Sequence, residues 1–253
     1  MTKHQLNILG FILNCTLIAF FFHDSAMMWV LLGSASLLFL FFLALGIVLP
    51  NRQYFVRTYT KLRTPEVLLT FDDGPDKDLT PVVLDILKKH HVTALFFVIG
   101  EKATANQDLI DRMLAEGHQL GNHTQSHNVF FATLGQDKVN REIGMCDNSL
   151  ILMGVRPGNY FRPPVGYTNP RIARAISKYK KKVIGWSLRS YDSVLKEESK
   201  LLQRLNSKVK PGQIVLLHDN LPHSVAILDA FITETKKNGI KFANPSVLKS
   251  FVK

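Results

Sequence analysis

Two long apolar stretches, residues 6–22 and 27–49, occupy the first part of the chain. The first contains three polar residues, and the second contains no charged residue. As a helix the second stretch measures roughly 35 Å, enough to cross a hydrocarbon core of roughly 30 Å. A short turn at 23–25 separates the two stretches. The pattern predicts a two-helix transmembrane hairpin over residues 1–50, with Pro50 ending the second helix.

The first apolar stretch has a competing interpretation as a secretory signal peptide. The segment before it holds one basic residue, Lys3, and Ser25-Ala26 is a poor cleavage site. The hairpin is therefore the favoured interpretation.

From residue 66 onward, short apolar runs alternate with amphipathic segments. Strands are predicted near 67–69, 94–99, 160–162, 183–187, 214–217 and 240–242. Helices are predicted near 80–91, 107–116, 137–153, 169–178, 197–207 and 222–238. Thr80 is the expected cap of the first of these helices. Repeated strand-helix units of this spacing indicate an α/β fold with a parallel sheet, and this many indicate a closed barrel.

Residues 51–64 connect the two regions and contain basic and aromatic side chains but no acid. These side chains are Arg52, Arg57, Lys61 and Arg63 with Tyr54, Phe55 and Tyr59. Such a composition just beyond a span is typical of a collar at the membrane interface, with an ordinary solvated linker as the alternative. We therefore divide the chain into a hairpin (1–50), a basic juxtamembrane linker (51–65) and a barrel domain (66–253).

The net charge of +11 lies entirely in residues 51–253, because residues 1–50 contain one Lys and one Asp. A basic domain favours membrane lipids, acidic glycans or nucleic acid as partners. The chain has no nucleic-acid-binding motif, so we expect the first two. Its two cysteines, Cys15 and Cys146, imply no disulfide framework, since Cys15 lies in an apolar stretch.

Two adjacent carboxylates, Asp72 and Asp73, follow the apolar run 67–69 and precede Gly74-Pro75, which ends the strand. Functional side chains of parallel barrels lie at the carboxyl ends of strands. Two anions this close resist joint ionisation unless a cation lies beside them. Alone, this sequence favours an acidic turn, so its interpretation depends on the other motifs.

His123 and His127 are four residues apart, which predicts that they share one face of a helical turn. Two His and one carboxylate are a standard catalytic zinc set that leaves one position open for water. An incidental His pair is the alternative. The carboxylate at a strand end favours the metal site.

Three further predicted strand ends carry polar side chains. Arg162 can hold a carboxylate bidentately and fix its orientation. The segment 186–192 contains Asp192, and the apolar run 214–217 ends at His218. A lone His at a strand end is often structural, but His218 would face the same barrel mouth as the predicted metal.

Together these motifs resemble the NodB-type polysaccharide deacetylases, carbohydrate esterase family 4. The resemblance covers about residues 66–245, and its five motifs, 70–75, 94–100, 117–127, 161–166 and 211–219, occur in the family's order. It implies a distorted (β/α)7 barrel, in agreement with the strand-helix alternation. It also implies an enzyme that removes N-acetyl groups from amino sugars.

The resemblance implies a role for nine residues. These are Asp73, His123 and His127 as metal ligands, Asp72 as general base, Arg162 as the partner that orients it, His218 as general acid, Asp192 as the support of His218, Leu216 in the acetyl pocket and the Val165 N–H as oxyanion donor.

The implied cofactor is one divalent metal ion, Zn²⁺ in the first place, with Co²⁺ and Mn²⁺ as alternatives. Such an ion lowers the pKa of its water and polarises the amide carbonyl. Asp72 takes the proton of the water, and His218 gives a proton to the departing amine. The expected partner is an N-acetylated glycan, either a polymer outside the membrane or a lipid-linked amino sugar at its surface.

Two departures from the family pattern bear on the substrate. Ser193 stands where a Trp is usual, and Arg189 stands where an acidic residue is frequent. Both changes reshape the wall of the cleft, so they affect the identity of the substrate more than the activity. Val165 replaces a frequent Tyr, but the implied contact there is through the backbone.

Two other functions compete with the enzyme. One is a sugar-binding pseudoenzyme, and the other is a membrane interaction protein whose basic barrel is a scaffold. All catalytic positions that match the family are filled, which favours the enzyme over both.

Basic residues also predict the orientation in the membrane. The turn at 23–26 has no Lys or Arg, whereas the linker has four and the N-terminus adds Lys3. The positive-inside rule therefore places both chain ends, and the barrel, on the cytoplasmic face. The resemblance favours the extracytoplasmic alternative, because most polysaccharide substrates of the family lie outside the cell.

Overall fold

The computed structural model describes residues 1–49, 53–155 and 159–252. Pro50, the predicted end of the second helix, and Arg52 of the predicted linker lie outside the described residues.

Two apolar helices, α1 (Lys3–Phe22) and α2 (Met27–Val48), stand where the hairpin is predicted. A capping box starts α1, in which the Thr2 hydroxyl accepts from the Gln5 N–H and the Gln5 side chain accepts from the Thr2 N–H. Phe11 and Phe39 stack between the helices with ring centroids 4.7 Å apart. Nearly all of the apolar surface is exposed, and by length and composition both helices are candidate membrane spans.

Tyr54 connects the hairpin to the rest of the chain. Its ring lies so close to Gly46 that a Cβ there would be 2.3 Å from Tyr54 Cδ1. Asn7 donates to the Tyr54 hydroxyl, and the rings of His4 and Phe55 pack 4.8 Å apart. Tyr54 and Phe55 are buried, so the predicted interfacial collar is wrong for these two rings, which fill the junction instead.

Eight parallel strands form the sheet of the domain. They are β1 (Thr58–Tyr59), β2 (Leu68–Asp72), β3 (Leu95–Val98), β4 (Gln119–Asn122), β5 (Tyr160–Phe161), β6 (Lys182–Ile184), β7 (Leu188–Arg189) and β8 (Ile214–His218). Their spatial order is β1-β6-β5-β4-β3-β2-β8-β7. The predicted α/β fold, a distorted barrel of parallel strands, is confirmed. Among the described residues β1 and β7 are the edges, so the curled sheet is open between them rather than closed.

Among the described residues, seven α-helices accompany the sheet. They are α3 (Thr80–Lys89), α4 (Gly100–Ala105), α5 (Gln107–Ala115), α6 (Gln136–Leu152), α7 (Pro170–Lys178), α8 (Glu198–Lys208) and α9 (Pro222–Lys237). All but α4 are predicted by the sequence. Asn169 caps α7, its side chain accepting from the Ile172 N–H. Thr80 is not the predicted cap of α3, because its hydroxyl accepts from the Asp76 N–H and donates to Asp219.

Several strands differ from the prediction. The predicted strand 183–187 ends early, at Ile184 in β6, and β7 begins beyond it at Leu188. The predicted strand 240–242 is a single bridge between Val67 and Phe242. β4 is not predicted, because its sequence has no apolar run. The division into 1–50, 51–65 and 66–253 stays a prediction, although β1 of the sheet lies within the predicted linker.

The side-chain alternation along β2 positions the candidate site. Leu69 and Phe71 face the helices within the largest apolar core, whereas Leu68 packs in a second apolar cluster inside the barrel. Because side chains alternate along a strand, Thr70 and Asp72 share the inner face with Leu68. The register places Asp72 beside Phe97 on β3 and His218 on β8. The carboxylate of Asp72, the last residue of β2, therefore lies inside the barrel mouth.

Candidate active site

Asp72 and Arg162 form a buried ion pair at the base of the mouth. Arg162 Nη1 lies 2.6 Å from Asp72 Oδ1 and 2.9 Å from the Thr70 hydroxyl. Arg162 Nε and Nη2 donate at 2.9 Å to the carbonyls of Ile184 and Gly185. The predicted bidentate grip on Asp72 is therefore wrong, because two of the three donor nitrogens bind backbone carbonyls. Asp72 Oδ2 is left to face the cavity.

Two aromatic rings pack against the guanidinium group of Arg162. Its guanidinium carbon lies 4.2 Å from the Phe97 ring centroid and 5.5 Å from the Trp186 ring centroid. Burial lowers the pKa of the Arg162 guanidinium, and the negative charge of Asp72 opposes that shift. The side chain is thus a fixed cation that holds one oxygen of Asp72.

Asp73, His123 and His127 converge beside this pair. Asp73 Oδ1 lies 3.3 Å from His123 Nε2 and 3.1 Å from His127 Nε2. The ligand atoms of the three side chains all lie within 4.8 Å of one another. In the described part of the chain, the buried Asp73 Oδ1 has no hydrogen bond of acceptable geometry. Two imidazole nitrogens and one unsatisfied carboxylate oxygen fit the donor set of a catalytic divalent metal.

Charge and tautomer favour metal ligation by these groups. Burial raises the pKa of Asp73, but the His123 ring, with His127 and His218, outweighs burial and holds that pKa below its ordinary value. His123 Nδ1 lies 2.7 Å from the Arg162 carbonyl, so it carries the hydrogen and Nε2 faces Asp73. Asp73 is thus an anion that faces His123 Nε2, the nitrogen that would ligate a metal.

The loop 123–127 is not the predicted helical turn. Thr124 and His127 adopt left-handed backbone conformations, with φ of 70° and 51°. The Asn122 side chain accepts from the Thr124 N–H, and the Thr124 hydroxyl accepts from the His127 N–H. Side-chain hydrogen bonds of this kind compete with helix formation, and here they bring the two rings to 4.8 Å between centroids.

Three residues that support the metal group are absent from the sequence-based prediction. Glu142 on α6 accepts from the N–H groups of Gln125 and Ser126. Asn122 caps the turn, and Lys102 donates to the Asp73 carbonyl at 2.7 Å. Glu142 lies on a helix with an ordinary amphipathic pattern, and Lys102 lies on the short α4, which the sequence does not predict, so no local signal marks either residue. Asn122, next to His123, is the one that a turn analysis could identify.

His218 and Asp192 form a second pair on the other side of the cavity. His218 Nδ1 lies 2.7 Å from Asp192 Oδ1, and the His218 N–H donates to Asp192 Oδ2 at 2.8 Å. Ser224 also donates to Asp192 Oδ2. Burial lowers the pKa of His218, but the hydrogen bond and charge of Asp192 prevail and raise it to about 9. Burial raises the pKa of Asp192, and His218 reverses that shift to a net lowering.

Asp219 has a structural position next to His218. It is fully buried, accepts from the Thr80 hydroxyl at 2.6 Å and lies against Gly74, where a Cβ would meet its Oδ2 at 2.1 Å. Burial raises the pKa of Asp219 to about 7. The residue connects the turn after Asp73 to α3, which is a structural role.

The converging side chains surround a cavity of about 170 Å³. The other lining residues include Val165, Trp186, Arg189, Ser193 and Leu216. Val165 is 45% exposed and has a φ of 59°, a conformation that a β-branched residue rarely adopts. Strain of this kind is common at functional sites, where it re-aims a backbone group. All nine sequence-predicted residues therefore lie at or directly behind one cavity.

This arrangement can carry out acid-base chemistry on a bound amide or ester. Asp72, with one oxygen facing the cavity, and His218, with a raised pKa, are register partners at the ends of adjacent strands, and both line the cavity that holds the metal-binding group. Asp73 Oδ2, in the metal-binding group, lies 3.9 Å from His218 Nε2. A substrate bound beside that group would have Asp72 as proton acceptor and His218 as proton donor within reach.

Comparison with known proteins agrees with this geometry. Residues 60–184 match the family model described as polysaccharide deacetylase. The chain is 35% identical to the chitooligosaccharide deacetylase of Sinorhizobium fredii over 172 residues, which is 66% of this chain and 79% of the relative. It is 34% identical to the peptidoglycan-N-acetylglucosamine deacetylase PgdA of Listeria monocytogenes over 176 residues, 70% of this chain but 37% of that longer protein.

A solved structure shares the fold. The peptidoglycan deacetylase PdaC from Bacillus subtilis superposes with a TM-score of 0.69 at 28% sequence identity. The superposition covers 74% of this chain and 91% of PdaC.

Proposed function

This chain belongs to the polysaccharide deacetylase family, and from that premise we propose that it hydrolyses the N-acetyl group of amino sugars in a glycan. The products are acetate and a free amine on the sugar. The names of the S. fredii and L. monocytogenes relatives suggest an N-acetylated oligosaccharide or polysaccharide as the substrate class. A lipid-linked amino sugar is the alternative, and it rests on the two candidate membrane spans.

One observation carries the proposal. Asp72, Asp73 and His218 come from adjacent strands, yet their free atoms face the same small cavity as the imidazoles of His123 and His127. Sugar binding alone does not require a proton acceptor, a proton donor and a set of metal ligands to face the same cavity, whereas hydrolysis of an amide does.

We propose that Asp73, His123 and His127 hold one divalent ion, Zn²⁺ by the donor set, with Co²⁺ and Mn²⁺ as alternatives. When bound, such an ion polarises the amide carbonyl and makes a neighbouring water more acidic. The Arg162 carbonyl keeps His123 in the tautomer that ligation requires. Glu142 and Lys102 hold the two loops that carry the ligands.

Asp72 and His218 divide the proton transfers between them. The oxygen of water attacks the carbonyl carbon, and Asp72 Oδ2 accepts the proton while Arg162 fixes Oδ1. The C–N bond then breaks, and His218 Nε2 gives its proton to the departing amine. Because Asp192 raises the pKa of His218 to about 9, this imidazole is protonated at neutral pH. Asp192 acts as a positioning residue.

Val165 and Leu216 are proposed to bind the acetyl group. Val165 has a left-handed backbone conformation, so its N–H points in a direction that differs from that in an extended chain. We assign its N–H to the oxygen that becomes negative during attack. Leu216 is buried on β8 and offers an apolar wall for the methyl group.

We propose further that the hairpin anchors the domain in a membrane and that the domain lies on the cytoplasmic face. The apolar faces of α1 and α2 are unburied, as a lipid environment requires. Arg57, Lys61 and Arg63 of the linker are exposed, as contact with anionic lipid requires. A cysteine introduced at Asn238 should resist a membrane-impermeant thiol reagent in intact cells and react after lysis. Labelling in intact cells would place the domain outside.

The direct test uses the purified full-length protein. After treatment with a chelator it should release no amine from N-acetylated oligosaccharides, and Zn²⁺, Co²⁺ or Mn²⁺ should restore release. The panel includes N-acetylglucosamine oligomers and lipid-linked N-acetylated sugars. Full activity in the metal-free preparation would refute the metal assignment. Absence of amine from every substrate in the metal-loaded protein would refute the proposed activity.

A further inference from the structure

A second cavity adjoins the candidate active site and shares Trp186 and Arg189 with it. Its volume is about 500 Å³, whereas the first cavity measures about 170 Å³. Five cationic side chains line it, and among the described residues that line it none is acidic. They are Lys61, Arg189, Arg204, Lys208 and Lys210. We call this space the basic cavity.

Two of the cations are held against one aromatic ring. The guanidinium carbons of Arg189 and Arg204 lie 5.0 Å and 4.5 Å from the Tyr191 ring centroid. Arg204 also donates to the carbonyls of Ser190, at 3.2 Å, and Arg189, at 3.3 Å. Within the described part of the chain, neither guanidinium forms an ion pair with a carboxylate. Two like charges brought together in this way repel each other unless an anion joins them.

The three lysines reach the same space from other segments. Lys61 follows β1 and pairs through its backbone with Gln213, just before β8. Lys208 ends α8, and the Lys210 N–H donates to the Gln213 side chain at 2.8 Å. The backbone contacts of this region therefore fix where the cations converge.

We propose that the basic cavity binds a phosphate or pyrophosphate group of the substrate while its N-acetyl group lies in the first cavity. The inference rests on the proposed deacetylation and narrows it to N-acetylated amino sugars that carry a phosphoryl group. Planar guanidinium groups match phosphate oxygens bidentately. A single carboxylate would need one such partner, whereas a phosphoryl group of charge about −2 uses several.

Arg189 connects the two cavities. It lines both, and it stands where the family resemblance leads one to expect an acidic residue. An acidic side chain at position 189 would repel a phosphoryl group that is attached to the sugar whose amide reacts. The reversal of charge at this position and the four other cations therefore favour the same ligand.

Binding tests the basic cavity independently of catalysis. Inorganic pyrophosphate is titrated into the full-length protein in detergent, and heat is measured by calorimetry. The triple variant Lys61→Gln, Lys208→Gln, Lys210→Gln should bind pyrophosphate at least about tenfold more weakly. Arg141→Gln removes an exposed cation on α6, a helix that follows β4 rather than β7, and should bind like wild type. Equal affinity in wild type and the triple variant overturns the proposal.

Kinetics then connect the cavity to the substrate. The same variants are assayed on a neutral N-acetylglucosamine oligomer, on UDP-N-acetylglucosamine and on polyprenyl-pyrophosphoryl N-acetylglucosamine in vesicles. The triple variant should raise KM about tenfold for the two phosphorylated substrates and leave the neutral oligomer unchanged. An equal rise for all three overturns the proposal.

The three substrates also show whether the phosphoryl group belongs to a lipid-linked or a soluble sugar. Together with the binding experiment, they distinguish failure of the proposed deacetylation from failure of the proposed phosphoryl site. Turnover of the vesicle substrate alone identifies a lipid-linked sugar, and turnover of both phosphorylated substrates shows that the phosphoryl group suffices. If pyrophosphate binding weakens in the triple variant but no substrate yields amine, the cavity assignment stands and the proposed deacetylation fails.

Discussion

The two adjoining cavities differ in how their charges are arranged. In the first, carboxylates and imidazoles alternate, and backbone or side-chain partners fix most of them, as Arg162 fixes Asp72 and Asp192 fixes His218. In the second, cations of several segments face one space without acids among the described lining residues. The first arrangement is suited to moving protons, and the second to attracting an anion.

The difference indicates where the chemistry and the substrate choice reside. The proposed metal and proton-transfer residues of the first cavity match the family motifs, whereas Ser193 in its wall and Arg189, which lines both cavities, depart from the family pattern. Changes in the first cavity should therefore affect turnover on every substrate. Changes in its wall or in the basic cavity should alter which substrate is preferred.

The largest effect is expected from the metal group. Asp73→Ala should lose the divalent ion and reduce kcat/KM by about 10⁴-fold, because a bound metal supplies several kcal/mol to such reactions. Metal content is measured by mass spectrometry beside amine release. Asp78→Ala removes an exposed carboxylate from the same loop and serves as the control. Retained metal and activity in Asp73→Ala would assign the ion to other residues.

Removal of the proton acceptor should have the next largest effect. Asp72→Asn keeps the shape and the contact to Arg162 but cannot accept a proton, so kcat should fall about 10³-fold while metal content is unchanged. The loss should be equal on neutral and phosphorylated substrates. Selective loss on one of them would show that Asp72 also sets specificity.

The pair of His218 and Asp192 predicts a pH dependence. Because the pKa of His218 is about 9, the protonated acid is present below that pH and kcat should decline above it. Asp192→Asn removes the charge that raises the pKa, so the alkaline decline should begin at lower pH, and activity near pH 8 should fall about tenfold relative to pH 6. An unchanged profile would mean that another group is the acid.

The same pair affects stability. The folded-state pKa of His218 lies above the ordinary value of 6.5, so the ion pair stabilises the fold fully below pH 6.5. That contribution is lost as pH rises through about 9. Thermal unfolding of wild type and Asp192→Asn, measured across this range, should therefore converge at alkaline pH.

The smallest effect is expected from the wall of the first cavity. Ser193 is exposed and lines the cavity beside His218. Ser193→Trp should change the ratio of kcat/KM between a neutral oligomer and a phosphorylated sugar roughly tenfold without abolishing turnover. If the ratio does not change, Ser193 has no part in substrate choice.

The sequence predicts which side chains meet at the candidate site better than it predicts the strands that carry them. Asp72 and Asp73 are found because β2 is an apolar run with an abrupt end. The sequence does not predict β4, because Gln119 and Gly121 interrupt its apolar pattern. The position of His123 nevertheless depends on β4, since His123 directly follows its last residue. The loop after it is misjudged as helical, since the hydrogen bonds of Asn122 and Thr124 are not visible in the His spacing.

Non-local contacts explain the rest of what the sequence does not predict. The basic cavity joins residues from the predicted linker, β7, α8 and the segment before β8, and only Arg189 carries a sequence signal. Glu142 reaches the metal loop from a helix whose pattern is ordinary. Tyr54 and Phe55 suggest an interfacial collar by position, but the backbone of the junction turns them into a buried contact with the hairpin.

Product analysis tests the central claim most directly. The metal-loaded full-length protein is incubated with an N-acetylated oligosaccharide, and acetate, free amine and reducing ends are quantified in the same mixture. The account predicts acetate and amine in equal amounts, with no increase in reducing ends. Reducing ends without amine would show glycosidic cleavage, and absence of acetate would show that the cavity does not hydrolyse the amide.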